Sequence, residues 1–231
     1  MSQYFRMLKT IWNLRRTHRR WWKPSDRSHA RRDPWPPGFG ADKNPVYARN
    51  LIKIPRARDR VFQTLMLAEQ WPDWYENALD VEIHRSPSGR FARDPAGLRE
   101  ARVPEHVGAT GEAPDTEPAG VRVPTAPAII PGTGGPPQLD ADVAFSWTTF
   151  GLRVHSEVME FEPGAKIAWT ATAPGVRVYH RWFFKHDGAG TLIITEECEK
   201  GPLAWVMRWF MNRALHAGHQ LWLDSLRAPQ P

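Results

Sequence analysis

Apolar and polar residues alternate with a period of two along much of the second half of the chain, which is the pattern of strands with one buried face. In the segment from Leu152, the residues Leu152, Val154, Ser156 and Val158 alternate with Arg153, His155 and Glu157. Ile167, Trp169 and Ala171 alternate with Lys166, Thr170 and Thr172. Val178, His180, Trp182 and Phe184 alternate with Arg177, Arg181 and Lys185. Turn residues separate these runs: Gly151, Pro163-Gly164, Pro174-Gly175 and Asp187-Gly188-Ala189-Gly190. They predict antiparallel strands over 141–149, 152–161, 165–173, 176–186 and 191–199.

Ahead of them, 46–54 reads as a strand and 58–67 as a helix with Val61, Phe62, Leu65 and Met66 on its apolar side. A second short helix is expected over 70–77 with Trp71 and Trp74, then a strand over 79–84. Gly201-Pro202 ends the strands and opens a helix over about 203–226, with proline in its first turn. Strands clustered apart from helices signal an α+β class.

The last hairpin sets a register in which Phe184 faces Ile193, Trp182 faces Thr195 and His180 faces Glu197. Arg181 then lies opposite Glu196 on the outer, solvated face, as a cross-strand ion pair of roughly 0.2–1 kcal/mol. The inner face is rich in aromatics yet holds His180, Thr195 and Glu197. Burying a carboxylate costs several kcal/mol unless it is paired. Two readings stay open: His180 and Glu197 satisfy each other or sit near water, or they are a polar anchor in an apolar pocket.

Composition redraws the two ends of this picture. The first 45 residues hold eleven Lys and Arg against Asp26, Asp33 and Asp42, so the net charge of +6 belongs to a basic arm on a near-neutral domain. The arm opens with a helical pattern in which Tyr4, Leu8, Ile11 and Trp12 share a face, flanked by Phe5 and Met7. A solvated tail, binding to anionic lipid headgroups and nucleic-acid binding are its three readings. The lipid surface suits residues 1–23, with Arg beside Trp; no base-reading module supports specific nucleic-acid binding. Residues 86–137 contain ten prolines and eight glycines with Phe91 as the sole aromatic, and are expected to be a mobile insertion, lid or not. The domain division is therefore 1–44 and 45–228, interrupted by 86–137.

Little else suggests chemistry. Cys198 is the single cysteine, and its parity turns it away from the inner face, so no disulfide, thiolate metal cluster or Cys/His nucleophile pair is expected. His216 and His219 are three apart on the last helix with no third ligand nearby in sequence, and are taken as a surface pair; no metal site and no cofactor are expected. Trp205, Trp209 and Trp222 are expected mostly in the core; Trp205 and Trp209, one turn apart, form a second apolar stripe, buried under the arm or, if exposed, a dimer or membrane contact. The apolar run from Leu203 is broken by Arg208, and no hydrophobic segment follows Arg15-Arg16, so no membrane span and no secretory signal are expected. A cytoplasmic location follows as the default, peripheral to a membrane if the arm binds one.

One set of residues carries a resemblance. Phe145-Ser146-Trp147, Glu160 through Gly164, Ala168-Trp169, His180-Arg181-Trp182, Gly190-Thr191, Thr195-Glu196-Glu197 and Gly201 resemble the polyketide cyclase/dehydrase and lipid-transport branch of the START-like (SRPBCC, helix-grip) superfamily. Residues 46–74, with Trp71-Pro72-Asp73-Trp74, are similar to its opening strand and helix pair. The resemblance covers about 130 residues and omits the arm and the insertion. It implies a helix-grip fold: a curved antiparallel sheet around a long C-terminal helix, with two short helices after the first strand.

Trp147, Trp169, His180, Trp182 and Glu197 would then line or border a cavity. Together with the parity of the strands, this gives a candidate ligand-binding set of Trp147, Val154, Ser156, Trp169, Val178, His180, Trp182, Phe184, Thr195 and Glu197. The function implied is binding or carriage of a lipid, isoprenoid or polyketide-like molecule. The alternatives are a cyclase/dehydratase-type lyase or isomerase, with His180 and Glu197 moving protons at a carbonyl compound, or a membrane-surface adaptor acting through the arm.

Overall fold

The computed structural model describes residues 3–30, 33–85 and 136–229. The insertion expected over 86–137 lies outside these residues except for its last two prolines.

After helix α1 (Gln3–Thr17) and two short 3-10 turns come strand β1 (Val46–Ile54), helix α2 (Arg58–Met66), a 3-10 turn and helix α3 (Trp71–Trp74). Then follow β2 (Ala78–Arg85), β3 (Val143–Thr149), β4 (Leu152–Glu162), β5 (Lys166–Ala173), β6 (Val176–Asp187), β7 (Gly190–Lys200) and helix α4 (Pro202–Arg227). The strands form one seven-stranded antiparallel sheet in the order β1-β7-β6-β5-β4-β3-β2. Register shifts in β2 and β4 bend it.

The β6–β7 register is the one the Asp187–Gly190 turn predicts: Phe184 opposite Ile193, Trp182 opposite Thr195, Arg181 opposite Glu196 and His180 opposite Glu197. Helix α4 crosses the inner face with a buried stripe of Ala204, Met211, Leu215, His219, Trp222 and Leu226. At its start, Gly201 has φ 114° and lies so close to Gly175 that a Cβ would sit 2.5 Å from that residue's carbonyl oxygen.

Tryptophans fill most of the space between helix and sheet. Trp71 is fully buried, donates Nε1–H to the Leu65 carbonyl at 2.9 Å, and packs edge-on against Trp147 and Trp222 at 5.2 and 5.0 Å. A tryptophan that buries about 200 Å² contributes up to about 5 kcal/mol of transfer free energy.

Two expectations are corrected. The buried stripe of α1 is Met7, Ile11 and Leu14, which joins the main core; Tyr4, Leu8 and Trp12 face outward. Met7 and Leu14 are seven apart, so this stripe satisfies the helical period as well as the other did, and contact with the sheet decides between them. The outer face of the sheet is also not uniformly solvated. Residues 33–44 lie over it, and Trp35, Phe39 and Ala41 cover Tyr47, Ala168, Tyr179 and Cys198. Cys198 does face away from the inner side, and burial pushes its thiol up to about 12.

Candidate functional site: a polar cluster at a tryptophan-lined cavity

The inner face is not completely filled. A cavity of about 60 Å³ remains where the β3–β4 and β5–β6 turns meet α1 and the first half of α4. Met7, Phe150, Leu203 and Met211 line one side and Trp147, Trp169 and Trp222 another. That volume holds a few water molecules or one small organic group. The strands that lead into residues 86–135 do so at Arg85 and Val143, at the end of β3 away from the cavity's Thr149.

Polar groups meet the cavity from β6, β7 and α4. Glu197 on β7 accepts from His180 Nδ1 at 2.9 Å and from His219 Nε2 at 3.2 Å, both through Oε2. The imidazole rings stack 4.6 Å apart with 14° between their planes. His180 is fixed on its other side by Thr195 Oγ1, 2.6 Å from Nε2, and Trp169 meets its ring edge-on at 4.8 Å. His219 Nδ1 is buried and has no hydrogen-bond partner.

Electrostatics separate the members of this cluster. Burial pushes the His180 imidazole down to about 4, against the pull of Glu197. Burial also works to raise Glu197, but the favourable interaction with His180 and the hydrogen bonds from both histidines outweigh it and hold its carboxyl down to about 2. Glu199 goes the other way. Burial first, and the adjacent Glu197 charge second, keep its carboxyl protonated well above the usual carboxylate range, and it hydrogen-bonds to Glu197. An acid and a carboxylate thus stand side by side in one cavity wall.

Of the ten residues proposed from sequence, Trp147, Val154, Trp169, Val178, His180 and Glu197 line the cavity. The other four share the inner face without reaching it. Ser156 accepts from Trp147 Nε1 at 3.1 Å, Thr195 holds His180, Trp182 packs on Trp222, and Phe184 packs on Phe62 at 5.1 Å.

Sequence reasoning missed Glu199, Tyr75 and His219. Glu199 was legible, since it shares parity with Glu197. His219 requires a correction, because the pair His216 and His219 is buried, not on the surface. His219 turns into the cavity, and His216 turns toward the N-terminal segment, where its Nδ1 lies 2.9 Å from Ser25 Oγ. The position of Trp222, one turn beyond His219 on the same face, was the available signal.

No family model matches the chain, and no curated protein matches it. Among solved structures it is similar to the hypothetical protein jhp0584 from Helicobacter pylori, with 22% identity over 87% of this chain and 98% of that one, at a TM-score of 0.60. The chain has a helix-grip α+β fold, a seven-stranded antiparallel sheet around the long helix α4. Weaker likenesses are to a START superfamily protein from Mycobacterium smegmatis (8% identity, 78% of this chain and 94% of that one, TM-score 0.45). Another is to the di-domain ARO/CYC StfQ from the steffimycin biosynthetic pathway (14% identity, 79% of this chain and 50% of that one, TM-score 0.48).

Proposed function

We propose that this protein binds and carries a compact hydrophobic molecule bearing one hydrogen-bonding group. The observation that carries this reading is the buried Glu197–His180–His219 cluster opening onto a cavity walled by Trp147, Trp169 and Trp222. Apolar walls with a few convergent polar groups are the ordinary build of a small-molecule site. At about 60 Å³ the cavity takes a small ring or a short chain end as it stands, and Met7 and Met211, both flexible side chains, border the space into which a larger body would push.

The source of such a ligand is suggested by the surface beside the cavity. Helices α1 and α4 pack together and both expose large apolar side chains: Trp12 (63% exposed), Phe5 and Leu8 on one, Trp205, Val206 and Trp209 (66%) on the other. The expectation that Trp205 and Trp209 are core is corrected accordingly. Seven Lys and Arg and no acidic residue occur between Gln3 and Lys23, which suits an anionic membrane surface. Among the described residues no helix is long and apolar enough to cross a membrane.

Native mass spectrometry of the purified chain tests the reading. A co-purifying small hydrophobic mass, lost in Glu197→Gln, supports it; a wild-type chain that stays ligand-free with added hydrophobic probes refutes it. One observation favours a second reading, a lyase or isomerase: Glu199 as the acid and Glu197 as the base beside the same cavity. There Glu199→Gln abolishes turnover of a carbonyl substrate while leaving its binding intact, and unchanged turnover rejects the assignment.

A further inference from the structure

His180, Glu197 and His219 come from three different elements, yet each offers a ligand atom, and these atoms all lie within 4.8 Å of one another. The two shorter separations are 2.9 and 3.2 Å. Zinc bound tetrahedrally at its usual 2.0–2.1 Å holds neighbouring ligand atoms about 3.3 Å apart. The cluster therefore approaches the spacing of a metal centre while holding hydrogen bonds instead. No lysine or arginine pairs with Glu197 among the described residues, so a cation is the missing counter-charge of a buried carboxylate.

Two further features fit a metal. A histidine ligand ordinarily hydrogen-bonds through its second nitrogen, which fixes its ring, and Thr195 Oγ1 stands 2.6 Å from His180 Nε2. The remaining coordination position faces the cavity, which leaves it open to water or to a ligand oxygen.

We propose that His180, Glu197 and His219 form a divalent-metal site of the zinc type whose open position faces the tryptophan-lined cavity. Two imidazoles and a carboxylate suit zinc and its neighbours in the first transition row, rather than calcium or magnesium. The proposal deepens the ligand-binding reading, and rests on it only for what fills the open position. A metal there attracts a carboxylate, enolate or other anionic oxygen at the polar end of an apolar ligand.

The test uses the full chain, stripped with chelator and titrated with Co²⁺ as a spectroscopic probe and with Zn²⁺ in a calorimeter. The expected result is one equivalent bound, with visible cobalt bands that zinc displaces. His219→Phe keeps the ring stack and weakens binding by at least about 100-fold. His219→Cys keeps a ligand, retains the equivalent and adds a thiolate-to-cobalt absorption. His84 and His155 form an exposed pair with Ser146, so their double alanine variant controls for surface binding and leaves the equivalent in place.

Absence of a bound equivalent in the wild type overturns the proposal, as does an equivalent that survives His219→Phe or disappears in the surface control. If His219→Phe does not fold, a Cys variant lacking the thiolate band gives the same refutation. A chain that binds a hydrophobic probe but no metal sinks this proposal alone. A chain that binds metal but no probe sinks the ligand-binding reading alone.

Discussion

Two polar clusters sit back to back on the same pair of strands, displaced by one residue. On the outer face Arg181 reaches Glu196 Oε2 through Nε at 3.1 Å and Nη2 at 2.9 Å, while Tyr47 donates to Oε1 at 2.9 Å. Trp35 lies over the guanidinium at 3.7 Å, and Arg181 Nη1 donates to the carbonyls of Asp33 and Pro34. On the inner face Glu197 has two imidazoles, a neighbouring carboxylic acid and a cavity. The outer cluster is neutralised and sealed; the inner one lacks a guanidinium and opens onto empty space. Breaking a charge-paired, covered group is costly to the fold, whereas a carboxylate at a cavity without a guanidinium is a candidate for binding.

The comparison predicts unequal responses to similar changes. Glu196→Gln strands a buried guanidinium and should cost about 3–5 kcal/mol, read as a lower urea midpoint at constant slope. A loss below about 1 kcal/mol would remove the structural role given to the outer cluster.

Acid acts mainly on the inner cluster. His180 has a folded value of about 4 against an ordinary 6.5, so the unfolded chain takes up its proton first as pH falls. The stability from neutral His180 is whole above pH 6.5 and is lost between 6.5 and 4, by roughly 3 kcal/mol. Glu197 is held down mainly by the same contact with His180, so its titration belongs to this loss and is not a second one. Glu199, raised in the fold, has the opposite sign and destabilises as pH climbs above 4.5. Urea midpoints between pH 7 and 4 should therefore fall steeply in the wild type and more gently in His180→Phe; equal slopes would contradict the assignment.

Glu197→Gln is smaller again. It removes a buried charge at constant volume and should change stability by no more than about 1 kcal/mol while abolishing ligand retention. A cost as large as that of Glu196→Gln would make both clusters structural and erase the contrast. Smallest in stability is the exposed pair Trp12→Ala and Trp209→Ala, each within about 0.5 kcal/mol. Flotation with vesicles rich in anionic lipid reads their effect, and undiminished flotation of the double variant would clear that surface of a membrane role.

Much of this contrast was readable beforehand because strands obey a short-range rule. One turn, Asp187–Gly190, sets the β6–β7 register, and a period of two then puts His180 and Glu197 on one side and Arg181 and Glu196 on the other. What covers each side was not readable. Trp35 and Phe39 arrive from more than a hundred residues away, in a proline-rich segment with no period. Helices were harder for a related reason: α1 carries apolar residues around most of its circumference, and α4 carries tryptophans on both the buried and the exposed side, so periodicity alone allows either face. His219 needed its long-range partners on β6 and β7 to be recognised.

The proposed role of the inner cluster is to anchor the polar end of a molecule inside the cavity. A crystal structure of the chain with its co-purified ligand, or with a hydrophobic probe found by mass spectrometry, tests it most directly. Density is expected between Trp147, Trp222 and Met211, with a polar atom, or a metal bearing it, in contact with Glu197 and His219. Density confined to the outer surface, or a cavity closed by its own side chains while the probe is bound, would contradict it.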